Sequence, residues 1–438
     1  MLQTTSTRIR AIALACALVA TGGAAHAANT LVGYAMMPAD TFADGPTSGQ
    51  FVSSANGRTL PLVGKQPVQG FSAVLAGRQP GVYYVMPDNG FGTKANSPDA
   101  LLGLWAVRPD WRTWDGSAVI GAGTVTPVQR RTGEALEAFS RDNSIRLKDP
   151  DHLLGFTRIA DLTNYPYAGT GPGSADIPVD AAIKKQVLLT GADLDIESVR
   201  RDHNGHLWFG DEFGPFLVKT DATGTVLRAE VPLPGVMSPS NPYLGSGTAN
   251  LNNSNGFEGM AINAAGDKLY ALLEGTVTGD PAKALRINEF DVDSEAYTGK
   301  RWLYKLEPQG TNIGDMTAVN DHQFLVIERN GTDDVRFKKI FMVDLDVVDA
   351  DGNAQKTEIA DLMNLADPHD LNQDGSDLFT FPWVTIEDVL VLDPQTLLVI
   401  NDNNYPGSSK VANTPDVTEF LQIRLDQPLP VSKAALKK

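Results

Sequence analysis

GFEGMAINAAGDKLYALLEG, residues 256–275, is one copy of a unit that recurs along this chain. It contains a hydrophobic residue, a small and acidic pair, about ten residues of apolar alternation and then an acidic or amide-rich loop. The other copies are GFSAVLAGRQPGVYYVMPDNG (70–90), DIESVRRDHNGHLWFGDEFG (195–214), IGDMTAVNDHQFLVIERNG (313–331) and TIEDVLVLDPQTLLVINDNN (385–404). A repeat of roughly sixty residues with two strands and a turn in each core is typical of propeller blades, which are four-stranded sheets around a central channel. The sequence therefore predicts an all-β fold, a β-propeller.

The spacing of the copies predicts the number of blades. The aligned second column is occupied by Ser72, Glu197, Glu258, Gly314 and Glu387. Its successive intervals are 125, 61, 56 and 73 residues, so the first interval is about two repeats long. A divergent blade between about residues 100 and 190, with LLGLWAVRP and KKQVLLTG as its terminal strands, would fill that gap. We therefore predict six blades, with five or seven as the alternatives.

The two ends of the chain predict how the ring closes. The early segment LVGYAMMPA (31–39) and the late segment EFLQIRL (419–425) both have strand-like composition. Their pairing would leave no open sheet edge. A two-sheet β-sandwich is the alternative architecture, although sandwiches do not repeat an acidic column. We expect a single propeller domain over residues 28–438.

Residues 1–27 have the pattern of a cleaved secretory signal peptide. Basic Arg8 and Arg10 precede an apolar run, and Ala25-His26-Ala27 is a small-x-small cleavage site. The apolar run is too short to span a membrane. The single cysteine, Cys16, lies within this segment, so the mature chain can form no disulfide. These features predict a periplasmic or secreted bacterial protein without an integral membrane segment.

The charge of the chain argues against polyanionic partners. The formal net charge is −17, and loss of the two arginines of residues 1–27 makes it −19. Such a surface repels nucleic acid and anionic lipid. We expect a small-molecule ester substrate, with phosphorylated esters among the candidates, and a monomeric protein.

The repeated column predicts a metal site at one end of the channel. Blade symmetry projects equivalent positions toward the same rim, and carboxylates gathered there repel one another unless cations lie among them. The candidate metal ligands at the ends of the repeats are Asp211, Glu212, Glu274, Glu328 and Asp402, with Asp88 and Asp315 as second choices. The alternative for each acid is a structural role, such as capping the backbone amides of a neighbouring blade.

A second acidic motif, D-x-N-x-D-G, lies between two copies of the repeat. Asp370, Asn372 and Asp374 could converge on one calcium ion, and Gly375 permits the sharp turn. Phe381 stands where a twelve-residue calcium loop would place its bidentate glutamate. The alternative is a turn whose residues serve only backbone conformation and hydrogen bonding.

Several common catalytic designs are absent from the sequence. There is no G-x-S-x-G elbow, no P-loop lysine motif and no G-x-G-x-x-G after a strand. These absences argue against the usual serine hydrolase, nucleotide-binding and dinucleotide-binding architectures.

Five motifs resemble one protein family. DIESVRRD, GDEFGPFL, GFEGMA, FLVIERNG and TIEDV with VINDNNYP look like the phytase-like domain, described as the esterase-like activity of phytase family. The resemblance runs from about Gly70 to Leu425. It implies a β-propeller related in architecture to the calcium-dependent propeller phytases, which hydrolyse phosphomonoesters.

Together these observations favour a secreted, metal-dependent hydrolase of phosphoric esters, with calcium as the cofactor and metal-activated water as the nucleophile. Glu197, Glu258 and Glu387 are the candidate catalytic acids, and Arg329 is the candidate phosphate clamp, assisted by Lys94 or Arg200. The alternatives are a carboxylic ester or lactone hydrolase on a metal-centred propeller and a non-catalytic propeller that binds a ligand or a partner.

Overall fold

The computed structural model describes residues 29–53, 56–170, 176–332, 336–407 and 416–437. The predicted signal peptide at residues 1–27, including Cys16, lies outside these residues and stays a prediction.

Strands dominate the described chain. In chain order they are β1 (Thr30–Met37), β2 (Phe42–Asp44), β3 (Lys65–Pro67), β4 (Phe71–Ala76), β5 (Tyr83–Pro87), β6 (Gly103–Asp110), β7 (Thr113–Trp114), β8 (Val119–Ile120), β9 (Thr124–Pro127), β10 (Ser144–Arg146), β11 (Ile196–Arg201), β12 (Leu207–Asp211), β13 (Phe216–Thr220), β14 (Val231–Pro232), β15 (Gly259–Ile262), β16 (Lys268–Leu272), β17 (Ala284–Asp291), β18 (Ala296–Lys305), β19 (Asn312–Ala318), β20 (Gln323–Arg329), β21 (Lys338–Val348), β22 (Ala354–Asp361), β23 (Leu365–Ala366), β24 (Leu378–Phe379), β25 (Ile386–Asp393), β26 (Thr396–Asn401) and β27 (Thr418–Arg424). The helical elements described are α1 (Ala181–Gln186) and the 3-10 turns Arg141–Asn143, Ile159–Asp161 and Ala435–Lys437. The mainly β architecture predicted from the repeats is therefore confirmed.

The strands form radial sheets, which we call blades 1 to 5. Blade 1 contains β4, β5 and β6, with β9 and β10 pairing along β6. Blades 2, 3 and 4 are the antiparallel sheets β11–β14, β15–β18 and β19–β22. Blade 5 has the order β25-β26-β27-β1 and joins blade 1 through a single pairing of β1 with β9. The innermost strands β4, β11, β15, β19 and β25 contact one another in succession, and β25 contacts β4. This closed ring has the form of a propeller and excludes the two-sheet sandwich.

The described residues form five blades around the channel, which is the smaller of the two alternatives, and the six expected from the spacing are not confirmed. The segment LLGLWAVRP supplies β6 of blade 1, whereas KKQVLLTG contains the end of α1 and an extended stretch that bonds to blade 1. The long interval instead contains β7 to β10, α1 and connecting loops. Part of it packs as a small separate core around Ile159, Tyr165 and Ile183, which are all buried. The extra length is therefore an insertion on blade 1 and not a hidden blade.

The ring closes through the early and late segments that were predicted to pair. β1 runs antiparallel to β27, with Tyr34 opposite Leu421 and Ala35 opposite Phe420. The last blade is thus completed by the first strand of the described chain, and this pairing removes an exposed sheet edge.

Apolar side chains fill the spaces between neighbouring blades. Trp208, Phe257 and Phe290 pack between blades 2 and 3, and none is measurably exposed. Each such side chain contributes roughly 1.5–3 kcal/mol when buried fully. These packed interfaces fix the blades, and hence the side chains that face the channel.

Candidate functional site

Strand pairing brings the two ends of each repeat to the same end of the channel. In blade 1 the N–H of Asp88 donates to the carbonyl of Gly70 at 3.0 Å. The equivalent bonds are Glu212 to Asp195 in blade 2 and Glu274 to Gly256 in blade 3, both at 2.9 Å. Because the acceptor always lies two residues before the aligned column, the column and the end-loop acids meet at one rim. The convergence expected from blade symmetry is therefore present in the structure.

Nine carboxylates gather at this rim, and we call them the carboxylate ring. Their shared features are burial or partial burial and a position at the start of an inner strand or at the end of the following strand. They are Asp88, Asp195, Glu197, Asp211, Glu212, Glu258, Glu274, Glu387 and Asp402.

Arg329, the last residue of β20, joins three of these acids. Its Nη2 atom donates to Glu387 at 2.8 Å and to Glu258 and Glu274 at 3.2 Å each. Burial by itself would lower the pKa of Arg329, but the three surrounding carboxylates raise it above the ordinary arginine value. The guanidinium is therefore a permanent cation that neutralises part of the ring and ties blade 4 to blades 3 and 5.

The neutral members of the predicted column complete this side of the ring. Ser72 donates its hydroxyl to Glu387 Oε2 at 3.0 Å. Gly314 lies where a Cβ atom would come within 2.1 Å of the carbonyl oxygen of Ile386, so the inner strands of blades 4 and 5 approach too closely for a side chain there. The cation of Arg329 thus lies in blade 4, one of the two blades whose column position has no carboxylate.

Two overlapping carboxylate triplets are arranged closely enough to hold a cation. Oxygens of Asp88, Asp195 and Glu197 lie within 4.8 Å of one another, and so do oxygens of Glu197, Glu212 and Glu258. Glu197 belongs to both groups. Hard divalent cations such as calcium bind carboxylate oxygens of this kind.

Hydrogen bonding separates structural acids from available ones. Asp211 accepts the N–H of Asp195 at 2.8 Å on one oxygen and the N–H of Gly214 at 2.7 Å on the other. By contrast, Glu212 Oε1 is buried without a hydrogen-bond partner among the described residues. Asp211 therefore fixes the loop, whereas Glu212 presents an oxygen that a ligand could satisfy.

Burial raises the pKa values of the ring. It is the largest cause for Asp88, Glu387 and Asp402, whose pKa values rise to about 8. Burial followed by repulsion from neighbouring acids also raises the pKa values of Glu197, Glu212 and Glu258 well above the ordinary glutamate value. The ring at neutral pH therefore retains protons unless cations replace them.

Asp195 was not among the acids selected from the sequence. It accepts a 2.7 Å hydrogen bond from Asn89, and burial raises its pKa to about 6. Its position two residues before the column, in the DIESV motif, was the signal that could have identified it. Asn89 lies in a loop outside any recurring column, and only the folded structure brings it to Asp195.

The structure places the side chain of Glu328, a predicted metal ligand, away from the ring. It is fully buried, accepting the hydroxyl of Tyr304 at 2.7 Å and the ammonium of Lys356 at 2.6 Å. Successive strand residues point to opposite faces, so Arg329 enters the channel and its neighbour Glu328 does not. Glu328 is a structural ion-pair partner inside blade 4.

Arg200 and Asp315 pair with each other. Arg200 Nη2 donates to Asp315 Oδ1 at 2.7 Å and to the carbonyl of Met316 at 2.7 Å. Both Nη2 bonds are thus made within the protein, and the assisting role predicted for Arg200 has no support in these contacts. Nearby Asp388 is buried with both carboxyl oxygens unpartnered among the described residues, and burial raises its pKa well above the ordinary value.

Lys94 lies at the edge of the ring. Its ammonium sits 4.8 Å from the centre of the Phe213 ring and 3.5 Å from the carbonyl oxygen of Ser240. Burial lowers the pKa of Lys94, and the charges of Asp211, Asp193 and Asp195 oppose that shift. The residue is therefore a half-buried cation facing the acidic side of the rim.

A cavity of about 280 Å³ opens beside the ring. Its lining includes Gly70, Asp88, Phe91, Asn96 and Tyr405. Gly70 has φ +67°, and a Cβ atom there would lie 3.0 Å from Asp402 Oδ1 and 3.4 Å from Asp88 Oδ1. The cavity therefore gives a small molecule a route to the carboxylates of blades 1 and 5.

The D-x-N-x-D-G loop forms an exposed, internally bonded turn. Asp370 Oδ1 accepts the N–H of Gly375 at 3.0 Å, and Asp374 Oδ1 accepts the N–H of Ser376 at 2.9 Å. Asn372 donates to Asp374 Oδ2 at 3.0 Å. These bonds are those of the turn considered as the alternative, and the calcium site at Asp370, Asn372 and Asp374 stays a prediction.

No helix in the described chain combines the length and apolarity needed to cross a membrane. A curated relative is an uncharacterized secreted protein of Arthroderma benhamiae, 24% identical over 291 residues. That match covers 60% of this chain and 53% of the relative, so the chain spans about half the length of the curated protein it matches.

Solved structures with detectable similarity share little sequence with the chain. The Bacillus subtilis arabinanase Arb43A is 10% identical, with a TM-score of 0.34 and coverage of 82% of this chain and 95% of the arabinanase. Regucalcin from Agrobacterium tumefaciens, a calcium-binding protein, is 10% identical, with a TM-score of 0.33 and coverage of 83% of this chain and 95% of regucalcin.

A family match covers most of the chain and includes the ring. The model described as "Phytase-like: Esterase-like activity of phytase" matches residues 66–405, a span from β3 to the loop after β26. The protein whose rim carries these carboxylates therefore belongs to the phytase-like family.

Proposed function

We propose that the chain is a metal-dependent ester hydrolase that acts at the carboxylate ring, with calcium as the metal and phosphoric esters as the substrates. The observation that carries this proposal is the triplet of Glu197, Glu212 and Glu258, whose oxygens lie within 4.8 Å of one another. Membership of the phytase-like family supports hydrolysis as the reaction class.

The donor set fits a hard cation. The ligands would be carboxylate oxygens only, and the buried Oε1 of Glu212 has no partner among the described residues. The predicted ligands Asp211 and Glu274 would act as supports, since their oxygens already accept hydrogen bonds from the protein. When bound, calcium would supply positive charge for a substrate anion and lower the pKa of a water molecule.

Other residues at the ring would position the ligands, hold a proton and attract the substrate. Arg329 holds Glu258 and Glu387 in fixed positions and offsets their charge. Glu387 or Asp402, whose pKa values burial raises to about 8, could accept or hold a proton near neutral pH. Lys94 at the rim would favour an anionic substrate over a neutral one.

Arg329 and Lys94 favour a phosphoric ester over a carboxylic ester or lactone. A neutral ester would gain little from two cations, and the cavity beside the ring includes the polar Asp88 and Asn96 in its lining. Hydrolysis of carboxylic esters or lactones and ligand binding without turnover are the competing outcomes of the assay.

The test is a hydrolysis screen with defined metal content. The purified protein is incubated with p-nitrophenyl phosphate, phytate, a phosphodiester and short acyl esters, in calcium and in EDTA. We expect calcium-dependent release of phosphate, lost in Glu212→Gln and kept in Glu137→Gln, which makes the same change at an exposed acid. Turnover of acyl esters alone would reassign the substrate, and no turnover with saturable calcium binding would favour the binding propeller.

We also propose that the protein is exported through the segment at residues 1–27. The similarity to a secreted relative supports this. N-terminal sequencing of protein recovered from the periplasm or medium should begin near Ala28, whereas an intact Met1 in an exclusively cytoplasmic fraction would contradict export.

A further inference from the structure

A second cavity lies apart from the carboxylate ring. Its volume is about 470 Å³, and it is bounded by β10, by α1 and by the loops around residues 44–46 and 223. None of the nine ring carboxylates is among its lining residues. The function proposed for the ring therefore does not account for this cavity.

The lining is basic in a strongly acidic chain. Four cations face this cavity, Arg130, Arg141, Arg146 and Lys148, against the two carboxylates Asp44 and Asp180. Four positive and two negative groups leave a formal charge of +2, whereas the whole chain carries −17. This local reversal of sign favours an anion.

Three of these cations are partly buried and have no carboxylate partner among the described residues. Within the described part of the chain, no carboxylate lies within ion-pair distance of Arg130, Arg146 or Lys148. The Nε atom of Arg130 is buried without an acceptor. Arg146 makes no side-chain hydrogen bond to the described residues, and its guanidinium instead lies 4.3 Å from the ring centre of Trp105. An anion in the cavity would supply the missing acceptors.

Other polar groups of the cavity are already satisfied or held in place. Arg141 donates to Gln186 at 2.9 Å, and Asp180 accepts the N–H of Ala182 at 2.7 Å. Burial lowers the pKa of Arg146 to about 10, which is still well above neutral pH, so the side chain remains charged. Stacking on Trp105 fixes the guanidinium plane, and a fixed plane suits two-point contact with an oxyanion.

We propose that this cavity binds the dianionic phosphate group of a small phosphomonoester through Arg130, Arg146 and Lys148. The local charge of +2 matches the charge of about −1.5 to −2 that a phosphomonoester carries near pH 7. The volume exceeds that of phosphate alone and leaves room for an organic portion beside Leu101 and Leu188. This site is separate from the ring and does not depend on the function proposed for the ring.

The test uses inorganic phosphate as the probe and the metal-free full-length protein. Isothermal titration is carried out in EDTA at pH 7.5 and constant ionic strength, so that the ring cannot contribute through calcium. We expect saturable binding by the parent protein and at least a tenfold weaker affinity in Arg146→Gln and in Lys148→Gln. The matched control Arg131→Gln, an exposed arginine next to Arg130, and the ring variant Glu258→Gln should bind as the parent does.

Two competing ligands test whether the cavity selects a phosphate group over a carboxylate. Glycerol 3-phosphate should displace inorganic phosphate, and malonate, a dicarboxylate, should bind at least tenfold more weakly. The proposal is overturned by absence of saturable phosphate binding, by unchanged affinity in the folded Lys148→Gln protein, by loss of binding in Glu258→Gln, or by malonate binding as tightly as phosphate. Circular dichroism confirms that each variant is folded before titration.

Discussion

Removing calcium should destabilise the protein, and the effect should grow with pH. Binding to the native state alone stabilises it by RT ln(1 + [L]/Kd), about 2.7 kcal/mol at a hundredfold excess of ligand over Kd. For a chain of 438 residues the unfolding entropy is roughly 0.8–0.9 kcal/mol per kelvin. The melting temperature at pH 8.5 should therefore fall by about 3 °C when EDTA replaces calcium.

The pH dependence follows from the raised pKa values in the ring. Burial and repulsion from neighbouring acids raise the pKa values of the proposed ligands Glu197, Glu212 and Glu258 well above the ordinary glutamate value, so calcium must displace protons from them to bind near neutral pH and below. Each displaced proton weakens binding by about tenfold per pH unit, and the calcium-induced shift at pH 5.5 should be below about 1 °C. In EDTA the buried carboxyl groups of Asp88, Glu387 and Asp402 stabilise the fold while they are protonated. This stabilisation is complete below about pH 4, the ordinary pKa of a carboxyl group, and it is lost as the pH rises through their folded-state pKa of about 8.

Scanning calorimetry at pH 5.5, 7.0 and 8.5 measures both effects, with ionic strength held constant. Glu212→Gln should lose the calcium-induced shift, and Glu137→Gln should keep it. Identical melting temperatures in calcium and EDTA at pH 8.5 would refute the metal site. A metal-free melting temperature that increases from pH 5.5 to pH 8.5 would refute the account of the buried carboxyls.

Three further predictions concern single side chains. Glu258→Gln should lower calcium-dependent phosphatase turnover by at least ~100-fold while circular dichroism stays unchanged, because an amide is a poor ligand for a hard cation; full turnover at both limiting and saturating calcium would contradict this. Glu328→Ala should lower the melting temperature by about 1–3 °C, since it leaves the buried Tyr304 hydroxyl without its acceptor and removes one of the two carboxylates paired with Lys356, at a cost of roughly 1–3 kcal/mol. The calcium-induced shift in melting temperature should persist in that variant. Loss of the shift would indicate that Glu328 contributes to the metal site. Asp374→Asn should keep turnover within about twofold and reduce mainly thermal stability, by about 1 °C for a lost hydrogen bond, whereas loss of turnover would place the loop at the site.

Blade architecture and ring closure could be predicted because both depend on local patterns. Each copy carries its own alternation of apolar residues and its own turn, and the closing strands lie at the ends of the chain. The aligned column also located Glu197, Glu258 and Glu387 at a common rim. Repetition makes this possible, because one position in five similar sheets has one direction relative to the channel.

The errors arose where the repeat is irregular. The interval from Ser72 to Glu197 has the length of two blades, yet its extra residues pack as a separate small core. Spacing alone cannot distinguish an inserted blade from an insertion on a blade. Glu328 was misplaced by a single residue of register, since its neighbour Arg329 is the one that faces the channel.

Contacts between different repeats also could not be predicted from the sequence. The hydrogen bond from Asn89 to Asp195 joins residues 106 positions apart, and Arg329 reaches Glu258 over 71 positions. The basic cavity has the same origin. Its cations come from the long insertion and from β10, segments that show no repeat.

The irregularity of blade 4 gives the ring its two unlike sides. Gly314 removes a carboxylate where the inner strands of blades 4 and 5 approach most closely, and Arg329 enters that side as a fixed cation. Arg329 offsets part of the charge there. Within the two triplets that share Glu197, Arg329 contacts Glu258 only, and the other acids have no arginine contact among the described residues. Protons or an added cation must therefore balance the remaining charge. The triplets of blades 1 to 3 are thus where a metal would be gained as protons are lost, and the cavity beside Asp88 opens at the junction of blades 1 and 5. A position that is fivefold equivalent in the backbone therefore becomes chemically unequal, because Ser72 and Gly314 are not carboxylates and Arg329 adds one cation.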